Sequence, residues 1–91
     1  MDSLYGDALI ERGQAVKSKA DFVGFAQSLL ENLRAHPNEW ENASIDHFLQ
    51  GLVGFTQSME GYYENMGVAV DLQHPEWKVF ADMLLAARVY E

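Results

Sequence analysis

The stretch HPEWKVFADMLLAARVYE, residues 74–91, decides the fold of this chain. At a helical period of 3.6 residues, its residues from 76 onwards form one very wide apolar face. That face comprises Val79, Phe80, Met83, Leu84, Ala86, Ala87 and Tyr90, whereas Leu85 and Val89 lie on the other side among charged residues. A helix that is apolar nearly all round is typical of the middle of a protein. We therefore predict that the C-terminal helix is the centre of the fold, covered by other helices.

Two amphipathic helices are predicted upstream. Ser18, followed three residues later by Asp21, has the pattern of a capping box that begins the first of them. This helix should end near His36, because Pro37 disfavours helical backbone in the residue before it. Its apolar residues recur at helical spacing: Phe22, Phe25, Ala26, Leu29, Leu30 and Leu33.

The second amphipathic helix should end at Gly67. Its glycines, Gly51, Gly54 and Gly61, are expected to let another backbone approach closely. Its apolar residues are Ile45, Phe48, Leu49, Leu52, Phe55, Thr56, Met59, Tyr62, Tyr63 and Met66.

Residues 1–17 predict a weaker N-terminal helix, since Gly6 and Gly13 are poor helix formers. Its apolar stripe would comprise Leu4, Tyr5, Ala8, Leu9 and Val16. No segment alternates at a period of two for long enough to require a strand. The predicted fold class is all-α: one domain over residues 1–91, built as a small antiparallel bundle of about four helices with a buried C-terminal helix.

Composition excludes several classes of function. Fourteen acidic and six basic residues give a net charge of −8, which would repel nucleic acid. Such a charge favours a basic partner or simply solubility. The absence of cysteine excludes disulfides and thiol chemistry. The N-terminus resembles no secretory signal and no apolar run is long enough for a membrane span, so we expect a cytoplasmic protein with no membrane partner.

Catalytic and metal chemistry find little support. His36, His47 and His74 lie in three different segments without a metal-binding spacing, so no metal or cofactor is expected. Glu60 and Glu64 share one helix face and could act as acid and base if a pocket raised one pKa. Carboxylates at this spacing are usually solvated. We therefore expect a protein that is not an enzyme.

Four sequence blocks carry a resemblance: SKADF (18–22), WEN (40–42), MEGYYENMG (59–67) and PEWKVFADMLLAARVYE (75–91). They resemble a family of small bacterial proteins known only as a domain of unknown function. The resemblance covers residues 18–91 and leaves residues 1–17 outside it. It implies a bacterial, single-domain, helical protein and implies no activity.

Large amphipathic aromatic residues lie near the predicted helix ends, and this type is favoured in binding hot spots when exposed. The same residues could instead close the ends of the bundle. Tyr62 and Tyr63 are consecutive, about 100° apart on a helix, so one of them should be exposed. Asn42 and Asn65 are expected to fasten the backbone near Trp40 and at the end of the third helix.

The favoured hypothesis is a non-enzymatic protein-interaction or regulatory module. Its surface would comprise Trp40, Tyr62, Tyr63 and Trp77, with an acidic rim of Glu39, Glu41, Glu60 and Glu64. A narrower form is an immunity protein that neutralises a basic toxin. One alternative is a small-molecule binder or enzyme with a carboxylate-lined pocket between helices 3 and 4, using Glu60, Glu64 and His74. Another is a homodimer formed through the apolar C-terminal helix.

Overall fold

The computed structural model describes residues 2–90, with side chains described from residue 8 onwards. This part of the chain forms four α-helices: α1 (Asp2–Gln14), α2 (Lys19–Ala35), α3 (Ile45–Met66) and α4 (Trp77–Ala87). A 3₁₀ helix, Pro37–Glu39, follows α2, and no strand occurs between residues 2 and 90. The prediction of a small all-α bundle is confirmed. Leu4 and Tyr5, placed in the N-terminal stripe by the sequence, lie outside the described side chains.

The C-terminal helix α4 is the centre of the molecule, as the sequence predicts. It contacts α3 on one side and both α1 and α2 on another. The small residues Ala81 and Ala87 are completely buried, which lets neighbouring segments approach the helix closely. Leu85, expected on the polar side, packs into the core because α1 covers it. Phe80, expected on the buried face, remains partly exposed.

Two apolar cores form around α4. The first lies between α4, α1 and α2 and contains Leu9, Val16, Phe25, Leu29, Trp40 and Ala81. The second lies between α4 and α3 and contains Phe55, Met59, Tyr63 and Val79. Val70 and Leu72, from the connection between α3 and α4, also pack against the second core.

Local capping explains where α2 and α3 begin and end. The Ser18 hydroxyl accepts the Asp21 N–H (3.1 Å) at the start of α2, and the Asp21 carboxylate accepts the Lys17 N–H (3.1 Å). The Ser44 hydroxyl accepts the N–H of His47 at the start of α3. Gly67 ends α3 in a left-handed conformation (φ 69°), which glycine adopts without strain. Gly67, rather than Asn65, therefore closes this helix.

Asn42 fastens the end of the chain to the start of α3. Its side-chain amide donates to the carbonyl oxygens of Ala87 (3.0 Å) and Tyr90 (2.8 Å), and its backbone N–H donates to Arg88 (2.8 Å). This confirms the expected fastening role of Asn42. Gly51 lies against the same group, because a Cβ there would be 2.7 Å from the Ala87 oxygen.

The three glycines of α3 differ in their surroundings. Gly51 faces backbone, as expected, and Gly54 faces the ring of Tyr90. Gly61 has no atom within 4 Å of its Cβ position. The expectation of close backbone approach is therefore confirmed at Gly51 and wrong at Gly61.

Alanine at Gly51 and at Gly61 should change stability in opposite directions. Gly51→Ala places a methyl group against the Ala87 carbonyl and should lower the free energy of unfolding by about 1–3 kcal/mol. Gly61→Ala meets open space and should raise it by up to about 1 kcal/mol, because alanine is the better helix former. Urea unfolding followed by circular dichroism measures both changes. A Gly51→Ala protein as stable as the wild type would contradict the close approach.

Candidate functional site

The aromatic residues chosen from the sequence divide into two buried and two exposed ones. Trp40 and Tyr63 are 8% and 5% exposed, whereas Tyr62 and Trp77 are 43% and 39% exposed. Trp40 and Tyr63 therefore have to be removed from the predicted contact surface, because the bundle itself covers them. The expectation that one of the consecutive tyrosines is exposed is confirmed, and that residue is Tyr62.

Trp40 joins the connection after α2 to the rest of the bundle. Its indole N–H donates to Asn32 Oδ1 (2.7 Å), so the polar edge of the buried ring has a partner. Its ring stacks on Phe48, with centroids 6.1 Å apart. The Arg88 guanidinium lies 5.8 Å from the ring centroid, a cation–π arrangement. These contacts give Trp40 a structural role.

The acidic residues beside Trp40 also differ from each other. Burial lowers the pKa of Arg88, and the nearby Glu39 carboxylate opposes this change. The Glu39 side chain is itself half-buried, whereas Glu41 is exposed. Glu39 therefore acts on an interior charge and does not belong to an exposed acidic rim.

A cleft of about 210 Å³ lies between the end of α3, the connection 68–76 and the first turns of α4. Its polar lining residues are Tyr63, Asp71, His74, Glu76, Lys78 and Asp82. His74 lines the cleft as expected, but Glu60 and Glu64 do not, and both are exposed. Tyr63 turns inward towards α4, and Glu64, the next residue, therefore points about 100° away. The predicted pocket lined by Glu60 and Glu64 is therefore not present, and the cleft found here has other carboxylates.

Asp82 is the centre of the polar contacts in this cleft. Its Oδ2 accepts the Tyr63 hydroxyl (2.6 Å) and the Lys78 ammonium (3.0 Å). Burial first, and then the hydrogen bond to Asp82, raise the pKa of Tyr63, so its hydroxyl keeps its proton at neutral pH. The Asp82 carboxylate is thus already neutralised by Lys78. This arrangement joins α3 to α4 and leaves neither group free for proton transfer.

A second polar pair lies at the cleft entrance. His74 Nδ1 is 3.2 Å from Asp71 Oδ2, and both side chains are largely exposed. Water competes effectively for such a pair, so it contributes little to stability. Among the side chains described, those of residues 8–90, His, Asp and Glu do not form a group of three that could hold a metal ion. The cleft is therefore a polar recess with one strong internal contact.

Removing the Tyr63 hydroxyl should change how stability depends on pH. Because the folded-state pKa of Tyr63 is raised above its ordinary value near 10, the folded protein holds this proton more tightly than the unfolded chain. The hydroxyl therefore contributes fully below about pH 10 and progressively less above it. Tyr63→Phe should cost about 1.5–3 kcal/mol at pH 8, and the difference from wild type should shrink by pH 11.

Urea unfolding of both proteins from pH 8 to 11 measures this difference. A difference that stays constant over this range would show that the Tyr63 hydroxyl does not keep its proton as the contacts imply.

An aromatic patch lies on the outside of α4. The Trp77 ring is 5.6 Å from the ring of Phe22 on α2 and 6.0 Å from that of Phe80, measured between centroids. Trp77 and Phe80 are both about two-fifths exposed. We call these three residues the Trp77 patch. The sequence identified Trp77 as a candidate but not its two neighbours. The i, i+3 spacing could have indicated Phe80, on the same helix, whereas nothing in the periodicity shows that Phe22 of α2 meets them.

A row of aliphatic side chains is exposed along α3. Ile45, Leu49 and Val53 are 72%, 49% and 56% exposed. Sequence analysis assigned Ile45 and Leu49 to the apolar stripe, but α3 packs chiefly on α4, through Phe55, Met59 and Tyr63. The width of the stripe was the available signal, because one neighbouring helix covers only part of so wide a face.

The chain belongs to a family of proteins of unknown function (DUF7660), whose model matches residues 18–91. This match confirms the resemblance carried by the SKADF, WEN, MEGYYENMG and PEWKVFADMLLAARVYE blocks. No curated protein and no solved structure matches the chain. The bacterial origin implied by the resemblance stays a prediction. No helix within residues 2–90 is long and apolar enough to cross a membrane.

Proposed function

We propose that this member of the family is a non-enzymatic module that binds a basic protein. The observation that carries the proposal is the Trp77 patch, in which an exposed tryptophan lies in ring contact with Phe22 and Phe80. Isolated exposed apolar residues are ordinary, whereas a contiguous aromatic patch is a feature of interaction surfaces. Tryptophan is also enriched among residues that dominate binding energy.

The charge of the chain supports a basic partner. The net charge is −8, and Glu41, Glu60 and Glu64 from the predicted acidic rim are exposed. A negative surface speeds association with a positive one and disfavours partners of its own sign. Tyr62, exposed on α3, is a further candidate contact.

The polar cleft supports a structural role more than a catalytic one. Asp82 accepts hydrogen bonds from both Tyr63 and Lys78, so its charge is already compensated. A general acid or base must have an atom that is free to donate or accept a proton and lies within hydrogen-bond reach of the substrate. The exposed pair of His74 and Asp71 is held by one long contact in water and has no such preparation.

Replacing the Trp77 patch should abolish partner binding without unfolding the protein. Affinity capture from the lysate of the native host would compare the wild type with Trp77→Ser/Phe80→Ser. A matched control is Val23→Ser/Leu30→Ser, which removes two comparably exposed apolar residues from α2. We expect the partner to be retained by the wild type and the control, and reduced about tenfold or more by the patch variant.

Circular dichroism must first show that both variants are folded. Equal retention of the partner by the patch variant would argue against the Trp77 patch. A Tyr62→Ser variant measures separately how much the exposed Tyr62 contributes to partner binding. The neighbouring Tyr63 is buried and is not expected to contact a partner.

The identity of the captured protein tests the narrower immunity hypothesis. Small size and the charge of −8 support that hypothesis. A basic toxin whose activity is inhibited by the purified protein would support it. A basic partner with a housekeeping role would be consistent with an interaction module and would contradict the immunity hypothesis. Homodimer formation, the other protein-level alternative, is tested by sedimentation at high concentration.

Small-molecule binding in the cleft is the second candidate function. The cleft collects three carboxylates, on Asp71, Glu76 and Asp82, and the cationic Lys78, so a small cation is the favoured ligand class. Its volume of about 210 Å³ is below the roughly 300–1,000 Å³ of most ligand sites. That difference places this function second.

A thermal-shift screen of small amines tests the cleft. A bound amine should raise the melting temperature of the wild type, and Asp71→Asn should remove that rise while leaving the Tyr63–Asp82 contact in place. Amines that shift both proteins equally, or neither, would argue against a ligand in the cleft.

A further inference from the structure

We infer that the solvent side of α3 is a docking surface for a basic amphipathic helix of a partner protein. The surface combines an apolar row, Ile45, Leu49 and Val53, with the exposed carboxylates of Asp46, Glu60 and Glu64. We call these six residues the α3 face. The inference extends the proposed function but concerns a different surface from the Trp77 patch.

Helical spacing aligns the apolar row. Ile45, Leu49 and Val53 are successive fourth residues, so they form one ridge about 12 Å long. The residues of α3 that pack into the second core, Phe55, Met59 and Tyr63, are centred about 80° round the helix from this ridge. Ile45 has the same angular position as Tyr63, and Leu49 and Val53 turn progressively away from the core side. The ridge is therefore apolar surface that the bundle leaves uncovered.

The acidic residues continue the same side of the helix. Glu60 and Glu64 follow Val53 by seven and eleven residues, and Asp46 precedes it by seven, so all lie within about 20° of it. α3 contains no lysine or arginine that could neutralise them, and within residues 2–90 neither Glu60 nor Glu64 is in an ion pair. Apart from Asp46 in its first turn, the α3 face is thus apolar in its first half and acidic in its second.

Charge selects the class of occupant. A second copy of this chain would bring acidic residues together, against a net charge of −8 on each molecule. A basic partner instead gains attraction to Glu60 and Glu64. The face is the convex surface of a helix. A partner would therefore recognise it by its negative charge and by its apolar ridge.

The shape of the face selects a helix. Side chains four residues apart form the ridge that packs into the groove of a second helix, with axes about 8–10 Å apart. Leu49 and Glu60 are eleven residues apart, so a partner must span about 16 Å between its apolar and its basic contacts. An amphipathic helix of about five turns, apolar at one end and basic on the same face at the other, meets both requirements.

A designed peptide tests this inference on the full chain. The probe is a blocked 20-residue helical peptide with leucines on one face of its first half and lysines on the same face of its second half. We expect calorimetric titration to show saturable binding that weakens about tenfold between 0.05 and 0.5 M salt, because exposed charges are screened. A peptide of the same composition with its lysines on the opposite face should bind at least about tenfold less tightly.

Charge exchange makes the test specific to the α3 face. Glu60→Lys/Glu64→Lys should lose the lysine peptide and bind a version in which glutamate replaces every lysine. The matched control is Glu11→Lys/Glu31→Lys, which changes two exposed glutamates of α1 and α2 by the same charge. It should keep the preference of the wild type. Leu49→Ser/Val53→Ser should also lose the peptide, since the apolar ridge supplies the contact area.

Three results would overturn the inference. They are no saturable binding of the lysine peptide to the wild type, no recovery by charge exchange, and an equal loss in the control variant. Trp77→Ser/Phe80→Ser should bind the peptide as the wild type does, so loss there would assign the peptide to the Trp77 patch. Conversely, a captured partner that depends on the Trp77 patch supports the proposed function whatever the peptide does.

Discussion

The burial of α4 is the constraint on which the rest of the structure depends. This helix has eleven residues and a wide apolar face, so water must be excluded from most of its circumference, although Trp77 and Phe80 stay about two-fifths exposed. α1 and α2 cover one side and α3 covers another. Both α2 and α3 keep part of their apolar stripes exposed, at Leu30 of α2 and at Ile45 and Leu49 of α3.

Several polar side chains inside the bundle join different segments of the chain. Trp40 donates to Asn32, Tyr63 donates to Asp82, and Asn42 donates to the carbonyl oxygens of the C-terminal segment. Burying such a group without a partner costs roughly 1–3 kcal/mol, so each contact fixes one relative position of two segments. Residues with an apolar body and a polar edge are well suited to this task. The polar groups of Trp40, Tyr63 and Asn42 therefore stabilise the fold and are not directed at a partner.

Function is accordingly sought at the surface. The strongest polar cluster, around Asp82, is satisfied internally by Tyr63 and Lys78. Among the exposed apolar side chains of the described residues, the Trp77 patch and the ridge of α3 are two grouped sets, on a chain with a net charge of −8. Apolar area supplies contact energy and the net charge selects the sign of the partner. The two surfaces present different shapes, one a cluster of rings and the other a helical ridge.

Sequence by itself determined the helices, most of their ends and the central position of α4. Caps at Ser18, Ser44 and Gly67 depend on atoms within a few residues, and helical periodicity depends on spacing along the chain alone. Only the tertiary structure decided that Tyr63 is buried while Tyr62 is exposed, that Trp40 is interior, and that Gly51 needs its missing side chain while Gly61 does not. Each of those outcomes depends on which neighbour covers a given side of a helix, and periodicity identifies an apolar side without stating how much of it a partner will cover. The exposed ridge of α3 has the same origin: Ile45 and Leu49 have the spacing of the core stripe, yet the neighbouring segments leave them and Val53 at the surface.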